Sequence, residues 1–248
     1  IKLLLLKMYK TVTTSYSYEN YSINMPIVII NYNSLTLFKN FITQVLKKLP
    51  NDIIILDNNS KYEPLLQYYE SLQTDYSNKI TIHLLNKNYG HTVYITKKKL
   101  LPDVYILSDP DLQLNDQMPS NVSDILYNLS IKYKSFKVGL ALDLSDSDKF
   151  IDNANYFRKK TIKQWEDQFW ENPIDDEDYI LYKAAVDTTF TIVNCNYFKK
   201  KHITGIRIAG IFTCKHLPWY KDTNDKIPEE ERNFVRNKNI SSTILNVT

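Results

Sequence analysis

The sequence predicts an α/β fold in which a mainly parallel central sheet is flanked by helices. Apolar runs rich in Ile, Val and Leu occupy residues 26–33, 52–60, 80–91 and 103–112, and each ends in polar residues. Runs without polar alternation are typical of strands buried on both faces, as in parallel sheets. Helix-like stretches separate the first three runs. This alternation predicts βαβ units, whose strands pair in parallel through right-handed crossovers.

Two helices are predicted between these strands. In residues 34–49 the apolar side chains recur at helical spacing, and Ser34 or Thr36 can cap the first turn. Residues 62–73 have the same character, with Pro64 in the first turn, where a proline is tolerated.

The second half of the chain contains two more predicted strands, at residues 138–143 and 184–193. Between them the aromatic segment Trp165–Trp170 is predicted to be helical. The acidic run Asp175–Asp178 is predicted to be a solvated loop, which is the usual place for a block of like charges.

The composition is that of a globular protein. The chain has 248 residues, 43% of them hydrophobic and 24% charged, and its net charge of +3 does not indicate a nucleic-acid partner. Cys195 and Cys214 are too few for a disulfide scaffold or a zinc cluster. No run reaches the roughly 20 apolar residues of a transmembrane segment. We therefore expect a cytoplasmic protein, or a domain in the Golgi or ER lumen if a membrane anchor precedes residue 1.

Two carboxylates stand one residue apart at the end of the fourth predicted strand, Asp109 and Asp111. Pro110 between them removes an amide donor and favours the end of the strand. Ligands of open α/β sheets bind at the carboxyl ends of the strands. Two carboxylates so close together suit a hard divalent cation that keeps waters and accepts substrate phosphates. Because acidic pairs are also common in solvated loops, the surrounding motifs decide between these interpretations.

Four motifs follow one another at the predicted strand ends. They are Ile-Val-Ile-Ile-Asn-Tyr-Asn at residues 27–33, Ile-Leu-Asp-Asn-Asn-Ser at 55–60, Asn-Lys-Asn-Tyr-Gly-His at 86–91 and Ser-Asp-Pro-Asp at 108–111. In this order they resemble a GT-A glycosyltransferase of the family-2-like group. The resemblance implies a metal-dependent transferase that uses a nucleotide-diphosphate sugar, usually a UDP-sugar. One departure is Ser34, where that group often has an arginine, so this position supplies no positive charge to neutralise a phosphate.

The resemblance covers residues 26 to about 220 and suggests how the chain is organised. Residues 1–24 are expected to form an N-terminal extension or linker, and residues 25–248 a single GT-A domain. Its nucleotide-binding half would cover residues 25–115 and its acceptor half residues 116–225.

The first two motifs are expected to contact the nucleotide of the donor. The resemblance implies that Asp57 accepts hydrogen bonds from the base or the ribose, with Asn31 and Asn33 beside it. Tyr32 can stack on the base. The alternatives are a turn-capping role for Asp57 and a packing role for Tyr32.

The third motif is expected to follow the nucleoside. Asn86, Asn88, Gly90 and His91 are the candidate contacts that the resemblance implies, and Gly90 allows close approach of the backbone. The alternative is a polar turn that needs a positive φ at Gly90, with His91 as a surface residue.

The metal site is expected from the acidic pair and one late histidine. The resemblance implies that Asp109 meets the ribose or bridges by water and that Asp111 ligates the metal, with Asp109 and His216 as further candidate ligands. An imidazole ligand shifts the preference from Mg²⁺ toward Mn²⁺. The alternative for His216 is a turn that packs against the core.

Residues around His216 are expected to complete the donor site. Arg207 and Lys215 can reach the diphosphate as the charge clamp that the first motif lacks. Trp219 and Tyr220 offer flat faces on which a sugar ring can stack, although core packing is an equal alternative.

An inverting GT-A enzyme needs a carboxylate that takes the proton of the acceptor hydroxyl. Asp187 is the candidate, because it is an isolated acid in an apolar, Thr-rich predicted strand, where an unpaired charge would be costly. Asp143 is the alternative.

Two other functions compete with this hypothesis. A sugar nucleotidyltransferase needs a Gly-rich phosphate loop after the first strand, and residues 31–36 contain no glycine. A GT-A-like binding module without turnover is the second alternative. The expected partners are a nucleotide-sugar donor and a glycan, protein or small-molecule acceptor.

Overall fold

The computed structural model describes residues 25–151, 159–198 and 204–238. The predicted extension over residues 1–24 lies outside the described residues.

The described residues form eleven strands and seven α-helices, linked by loops and short 3-10 turns. In chain order, the strands are β1 (Ile27–Asn31), β2 (Ile53–Asp57), β3 (Ile80–Leu84), β4 (Val104–Ser108), β5 (Leu112–Leu114), β6 (Lys137–Leu140), β7 (Pro173–Ile174), β8 (Leu181–Ala185), β9 (Thr191–Asn194), β10 (Thr204–Ile208) and β11 (Cys214–His216). The helices are α1 (Thr36–Lys48), α2 (Glu63–Asp75), α3 (Val93–Thr96), α4 (Val122–Lys132), α5 (Ile162–Glu166), α6 (Lys221–Lys226) and α7 (Glu229–Lys238).

Nine of the described strands form one mixed sheet, in the order β3-β2-β1-β4-β9-β6-β10-β8-β7. The four strands predicted from the first half of the sequence are confirmed. β1 pairs in parallel with β2 and β4, and β2 pairs in parallel with β3. In the other half β6 and β10 are parallel, whereas β9 is antiparallel to both of its neighbours, β4 and β6. The predicted α/β class is confirmed, with its parallel part concentrated in the first half.

The two predicted helices are confirmed as α1 and α2. Phe38 and Phe41 of α1 are completely buried, and Phe38 packs edge-on against Tyr69 of α2, with ring centroids 5.6 Å apart. Both helices therefore cover one face of the parallel strands with their apolar sides.

The cap predicted for α1 is wrong. Neither Ser34 nor Thr36 caps the helix with its side chain. Instead the carboxylate of Glu231 in α7 accepts hydrogen bonds from the amides of Leu35 and Thr36, at 2.8 and 3.0 Å. The first turn of α1, whose amide groups have no partner within the helix, is thus satisfied by a residue from the far end of the chain.

The prediction that the third strand is buried on both faces is also wrong. β3 lies at the edge of the sheet, where it pairs with β2 alone. Ile80 is buried, but Leu84 is 65% exposed. An edge strand has a neighbour on one side only, and a run of apolar residues does not reveal this.

The predicted strand over residues 184–193 is wrong as well. The structure divides it into the end of β8, a loop at residues 186–190, and β9. β8 pairs with β10, while β9 lies between β4 and β6. The loop therefore crosses the sheet, because its two flanking strands are separated by β10 and β6.

The remaining predictions of the second half are largely confirmed. β6 matches the predicted strand at 138–143, although it ends at Leu140, and a helical segment covers α5 and the 3-10 turn Asp167–Trp170. The acidic run 175–178 is a loop, but Asp176 accepts hydrogen bonds from Lys132 and Tyr133 and is not simply solvated. Within the described ranges, no helix is long and apolar enough to cross a membrane.

Candidate active site

The carboxyl ends of β1, β2 and β4 lie side by side at one edge of the sheet. The register pairs Asn31 with Asp57, and Ser108 with Ile29 two residues before the end of β1. Because the acidic pair begins immediately after Ser108, Asp109 and Asp111 lie at the same edge as the tips of the first two strands.

The small two-stranded sheet brings His216 to Asp111. β11 pairs antiparallel with β5, so that His216 lies opposite Leu112. The amide of Leu217 donates to the carbonyl of Asp111 at 2.9 Å, which fixes the two segments together. As a result, Nε2 of His216 is 3.5 Å from Oδ1 of Asp111. A contact across more than 100 residues of sequence is thus defined by backbone pairing.

Asp109 is held by the loop that precedes β9. Its amide donates to the carbonyl of Thr188 at 2.8 Å, and Oγ1 of Thr188 donates to its Oδ2 at 2.6 Å. Burial and the negative charge of Asp111 raise the pKa of Asp109 well above its usual range, against the lowering effect of the Thr188 hydrogen bond. Burial also raises the pKa of Asp111, and His216 opposes that shift.

Two atoms of this cluster are buried without a hydrogen-bond partner in the described part of the chain. They are Oδ1 of Asp111 and Nδ1 of His216. A buried polar atom left unpaired is costly, so such atoms point to a ligand. A carboxylate oxygen and an imidazole nitrogen are both ligands of divalent transition metals. No group of three His, Cys, Asp or Glu side chains among the described residues is arranged to hold a metal, so protein ligands alone do not complete a cation site.

A cavity of about 350 Å³ opens beside this cluster, and we call it the Asp187 pocket. The pocket is lined by carboxylates, one arginine, one histidine and large aromatic side chains. Its lining residues are Asp109, Leu142, Trp165, Glu166, Phe169, Ala185, Val186, Asp187, Thr189, Arg207, His216 and Trp219. Asp109, His216, Asp187, Arg207 and Trp219 were all singled out in the sequence, and the fold brings them to this one cavity.

Asp187 lies in the loop at residues 186–190 and is exposed. Asp187 is therefore not a charge buried within a strand, and that prediction is wrong, although Asp187 does line the pocket. Asp143, the alternative base, follows β6 and accepts a hydrogen bond from the amide of Ser145 at 2.9 Å. It is not among the residues that line the pocket.

Arg207 is buried and already paired. Its guanidinium forms a salt bridge with Glu166, and its Nε donates to the carbonyl of Ala185 at 2.8 Å. Its guanidinium carbon also lies 4.1 Å from the ring centroid of Phe169. Burial raises the pKa of Glu166 to about 7, although the charge of Arg207 acts in the opposite direction. The guanidinium that was expected to bind a diphosphate is thus already paired with Glu166 within the pocket wall.

The residues on either side of His216 are packed into the fold. Trp219 is 3% exposed and lies edge-on to His216, with ring centroids 4.9 Å apart. The Tyr220 hydroxyl donates to Asp146 at 2.7 Å, and Lys215 forms a salt bridge with the same carboxylate. Only Trp219 of these two aromatic residues reaches the pocket.

At the tips of the first two strands, the candidate nucleotide contacts are held by hydrogen bonds within the fold. Asp57 is 1% exposed and accepts from the amide and hydroxyl of Ser60 and from the hydroxyl of Tyr69. The amide group of Asn31 donates to Tyr69 and to the carbonyl of Ser34. These hydrogen bonds are those expected for the alternative interpretation, in which Asp57 caps a turn.

The other candidates at this edge differ in exposure. Asn33 is buried, has a positive φ of 54°, and accepts hydrogen bonds from the amides of residues 61 and 62, whereas Tyr32 is half-buried. Asn86, Asn88 and His91 are exposed in the loop after β3.

Gly90 lies in that same loop with a φ of 66°, which explains a glycine there. A Cβ at this position would meet nothing within 4 Å, so its surroundings are open.

Sequence reasoning missed three residues that the pocket uses. Thr188 bonds Asp109, Glu166 pairs with Arg207, and Oγ1 of Thr189 is buried in the pocket wall with no partner in the described part of the chain. Their residue types carry no signal of such roles. Only the adjacency of Thr188 and Thr189 to Asp187 could have drawn attention to two of them.

No protein-family model matches the sequence, and no curated protein matches it. Among solved structures, GalNAc-T7 with UDP, GalNAc and Mn²⁺ is similar, with a TM-score of 0.52 and 11% sequence identity over 86% of this chain and 48% of that chain. The chain has the GT-A fold.

Two further solved structures are similar over smaller parts of this chain. TarS 1–349 from S. aureus gives a TM-score of 0.43 and 11% identity over 70% of this chain and 47% of that chain. The mannosyltransferase PcManGT from Pyrobaculum calidifontis, in complex with GDP-Man and Mn²⁺, gives 0.39 and 10% identity over 50% and 36%. The chain thus spans about a third to a half of the length of the solved chains that it matches.

Proposed function

We propose that this GT-A chain is a metal-dependent glycosyltransferase that moves a sugar from a nucleotide-diphosphate donor, UDP-linked, to a hydroxyl acceptor. The observation that carries the proposal is the convergence of Asp109 and Asp111 with His216 beside a pocket that also presents Asp187. GalNAc-T7, which shares the fold, has been solved with UDP, GalNAc and Mn²⁺, and this supports the proposed ligand classes by analogy of fold.

Asp111 and His216 are the residues that would hold a divalent cation, Mn²⁺ or Mg²⁺. Oδ1 of Asp111 is buried without a hydrogen-bond donor in the described part of the chain, and Nε2 of His216 lies 3.5 Å from it. Since these residues supply two ligands, the remaining positions would be filled by diphosphate oxygens and water. The nitrogen ligand favours Mn²⁺. When bound, the cation would neutralise the charge that develops on the departing diphosphate.

Asp109 has a different role in this proposal. Its Oδ2 is occupied by the hydroxyl of Thr188, which leaves the other carboxylate oxygen for the ribose or for a bridging water. The buried residues Asn31 and Asp57 would maintain the shape of the sheet edge where the nucleotide binds, while the exposed side chains of Asn86 and His91 would contact the nucleoside. The division into a nucleotide-binding half over residues 25–115 and an acceptor half over 116–225 belongs to the same proposal.

Asp187 would act as the base. As an exposed carboxylate at the pocket, it can take the proton of an acceptor hydroxyl while that oxygen attacks the anomeric carbon. The nucleoside diphosphate leaves with the electron pair of the broken bond, and the configuration inverts. The acceptor is a glycan, a protein or a small molecule, whose sugar or apolar part can lie against Trp165 and Trp219.

The test is release of the nucleotide from UDP-, GDP-, dTDP- and CMP-sugars, with Mn²⁺ and with a chelator. We expect one class of donor to be turned over only with metal, and Asp187→Asn to lower kcat by about 100-fold or more, the usual range for loss of a general base. Asp143→Asn is the matched control, because Asp143 lies outside the pocket lining, and it should retain activity. No turnover of any donor, together with no metal-dependent binding, would leave an inactive GT-A-like module as the better account.

A further inference from the structure

The loop at residues 186–190 carries three of the residues that line the Asp187 pocket. It connects β8 to β9 and crosses the sheet over β10 and β6. Asp187 and Thr189 line the pocket, and Thr188 holds Asp109 by two hydrogen bonds. The position of this loop on the sheet therefore sets the position of the proposed base relative to the acidic pair.

The first residue of the loop, Val186, is held by close apolar packing. Val186 is 4% exposed and lies over two glycines on neighbouring strands. A Cβ at Gly139 of β6 would come within 2.7 Å of Val186 Cγ1, and a Cβ at Gly205 of β10 within 2.7 Å of Val186 Cγ2. Both distances are shorter than any carbon contact allows, so only glycines leave room for this side chain.

The buried side chain of Lys137 also holds this loop, through hydrogen bonds to its backbone. Lys137 of β6 is 7% exposed, and its Nζ lies 3.3 Å from the carbonyl oxygens of both Val186 and Asp187. The ammonium also lies 5.2 Å from the ring centroid of Tyr94. Within the described residues Lys137 forms no salt bridge at 4 Å or less, so its charge is stabilised by carbonyl dipoles and an aromatic face.

A charge in this place is costly for the fold. Burial lowers the pKa of Lys137, and the nearby carboxylates of Asp187 and Asp109 act in the opposite direction. An apolar residue would fill a buried strand position without the desolvation penalty of an ammonium group. Groups that a fold holds at a cost are concentrated at functional sites.

We propose that Lys137 is a positioning residue, whose ammonium clamps the carbonyls of Val186 and Asp187 and so holds the proposed base and Thr188 against Asp109. The catalytic part of this inference rests on the proposed function, whereas the anchoring of the loop does not. Lys137 touches no reacting atom in this account. It acts through the backbone of the loop and through its positive charge beside the two carboxylates.

The test compares Lys137→Met with Lys79→Met. Methionine keeps the unbranched apolar stem and removes the charged group. Lys79 is a matched control, because its Nζ also donates to a main-chain carbonyl, that of Leu49 at 3.2 Å, but lies beside β3 at the far end of the sheet. The first readout is amide hydrogen exchange by NMR at Asp109 and Phe190, whose amides both donate to the carbonyl of Thr188, at 2.8 and 3.2 Å.

In Lys137→Met we expect both amides to exchange about tenfold faster or more, because a charged donor of two hydrogen bonds is lost. The Tm should stay within a few degrees of wild type. The second readout is donor turnover, in which kcat should fall about tenfold or more while KM for the donor changes less than about threefold. Lys79→Met should match wild type in every readout.

Each other outcome is informative. Unchanged exchange at Asp109 and Phe190 in Lys137→Met would overturn the inference, and so would faster exchange with an unchanged kcat. A fall in Tm accompanied by faster exchange throughout the sheet would assign Lys137 a merely structural role. If wild type turns over no donor, the proposed function fails by itself, and the exchange rates still decide whether Lys137 anchors the loop.

Discussion

The contact between Glu231 and the start of α1 makes a quantitative prediction about stability. The carboxylate of Glu231 is buried and accepts hydrogen bonds from the amides of Leu35 and Thr36 and from the Thr36 hydroxyl, the last at 2.5 Å. No side chain of the α1 segment caps the helix. Removing the carboxylate in Glu231→Ala therefore leaves the first turn unsatisfied and removes a negative charge from the positive end of the helix dipole.

The size of the loss follows from these contacts. A lost helix cap costs about 1–2 kcal/mol. Hydrogen bonds to a charged group contribute about 1.5–3 kcal/mol, part of which is the same cap, and the charge at the helix end adds up to about 2 kcal/mol. We expect Glu231→Ala to lower the free energy of unfolding by about 3–4 kcal/mol, which corresponds to a fall in Tm of roughly 6–16 °C for a chain of this length.

The assay is urea unfolding monitored by circular dichroism, with Tm measured in parallel. Glu230→Ala is the matched control, because Glu230 is exposed on the same helix and its removal should change stability by less than about 0.5 kcal/mol. Glu231→Gln keeps an acceptor but loses the charge and should fall between the two. A Glu231→Ala variant as stable as Glu230→Ala would refute the argument that α7 caps α1.

Three further predictions concern the sheet and the site. Gly139→Ala should destabilise the fold by about 1–3 kcal/mol through overpacking, measured by urea unfolding, and a neutral effect would contradict the close packing. Arg207→Met should cost about 3–5 kcal/mol because it leaves the buried Glu166 unpaired, and the double variant with Glu166→Gln should recover part of that loss in the same assay. Because the pKa values of Asp109 and Asp111 are raised, protons compete with a cation, so Mn²⁺ affinity measured by calorimetry should strengthen as pH rises and then level off; an affinity independent of pH would contradict this.

The sequence predicts the parallel half of the fold well because its signals are local. Each of β1, β2 and β4 is a continuous apolar run that ends in polar residues, and the helices between them have clear apolar faces. Parallel pairing then brings Asn31, Asp57 and Asp109 to one edge of the sheet without further information. The position of the acidic pair could therefore be derived from the chain alone.

Contacts between distant segments could not be derived in this way. Glu231 caps a helix that begins 195 residues earlier in the chain, and Arg207 pairs with Glu166, which lies 41 residues away in the sequence. The Thr-rich segment around Asp187 has the composition of one strand, yet it is a loop between two strands that are not neighbours. The position of this loop depends on Gly139, Gly205 and Lys137. The sequence around these residues gives no indication of the contacts that they make.

The most direct test of the proposed metal-dependent donor site is calorimetric binding of UDP with and without Mn²⁺, to wild type, Asp111→Asn and His216→Ala. Glu63→Gln, an exposed acidic residue at the start of α2, is the control for a general change of charge. We predict UDP binding that requires Mn²⁺ in wild type and in Glu63→Gln and is abolished in Asp111→Asn. In His216→Ala it should be weakened about tenfold or more, since loss of even an outer-shell partner of a metal ligand costs about 10- to 100-fold in metal affinity. Equal binding of UDP with and without Mn²⁺, or binding that survives in Asp111→Asn, would contradict the proposed site.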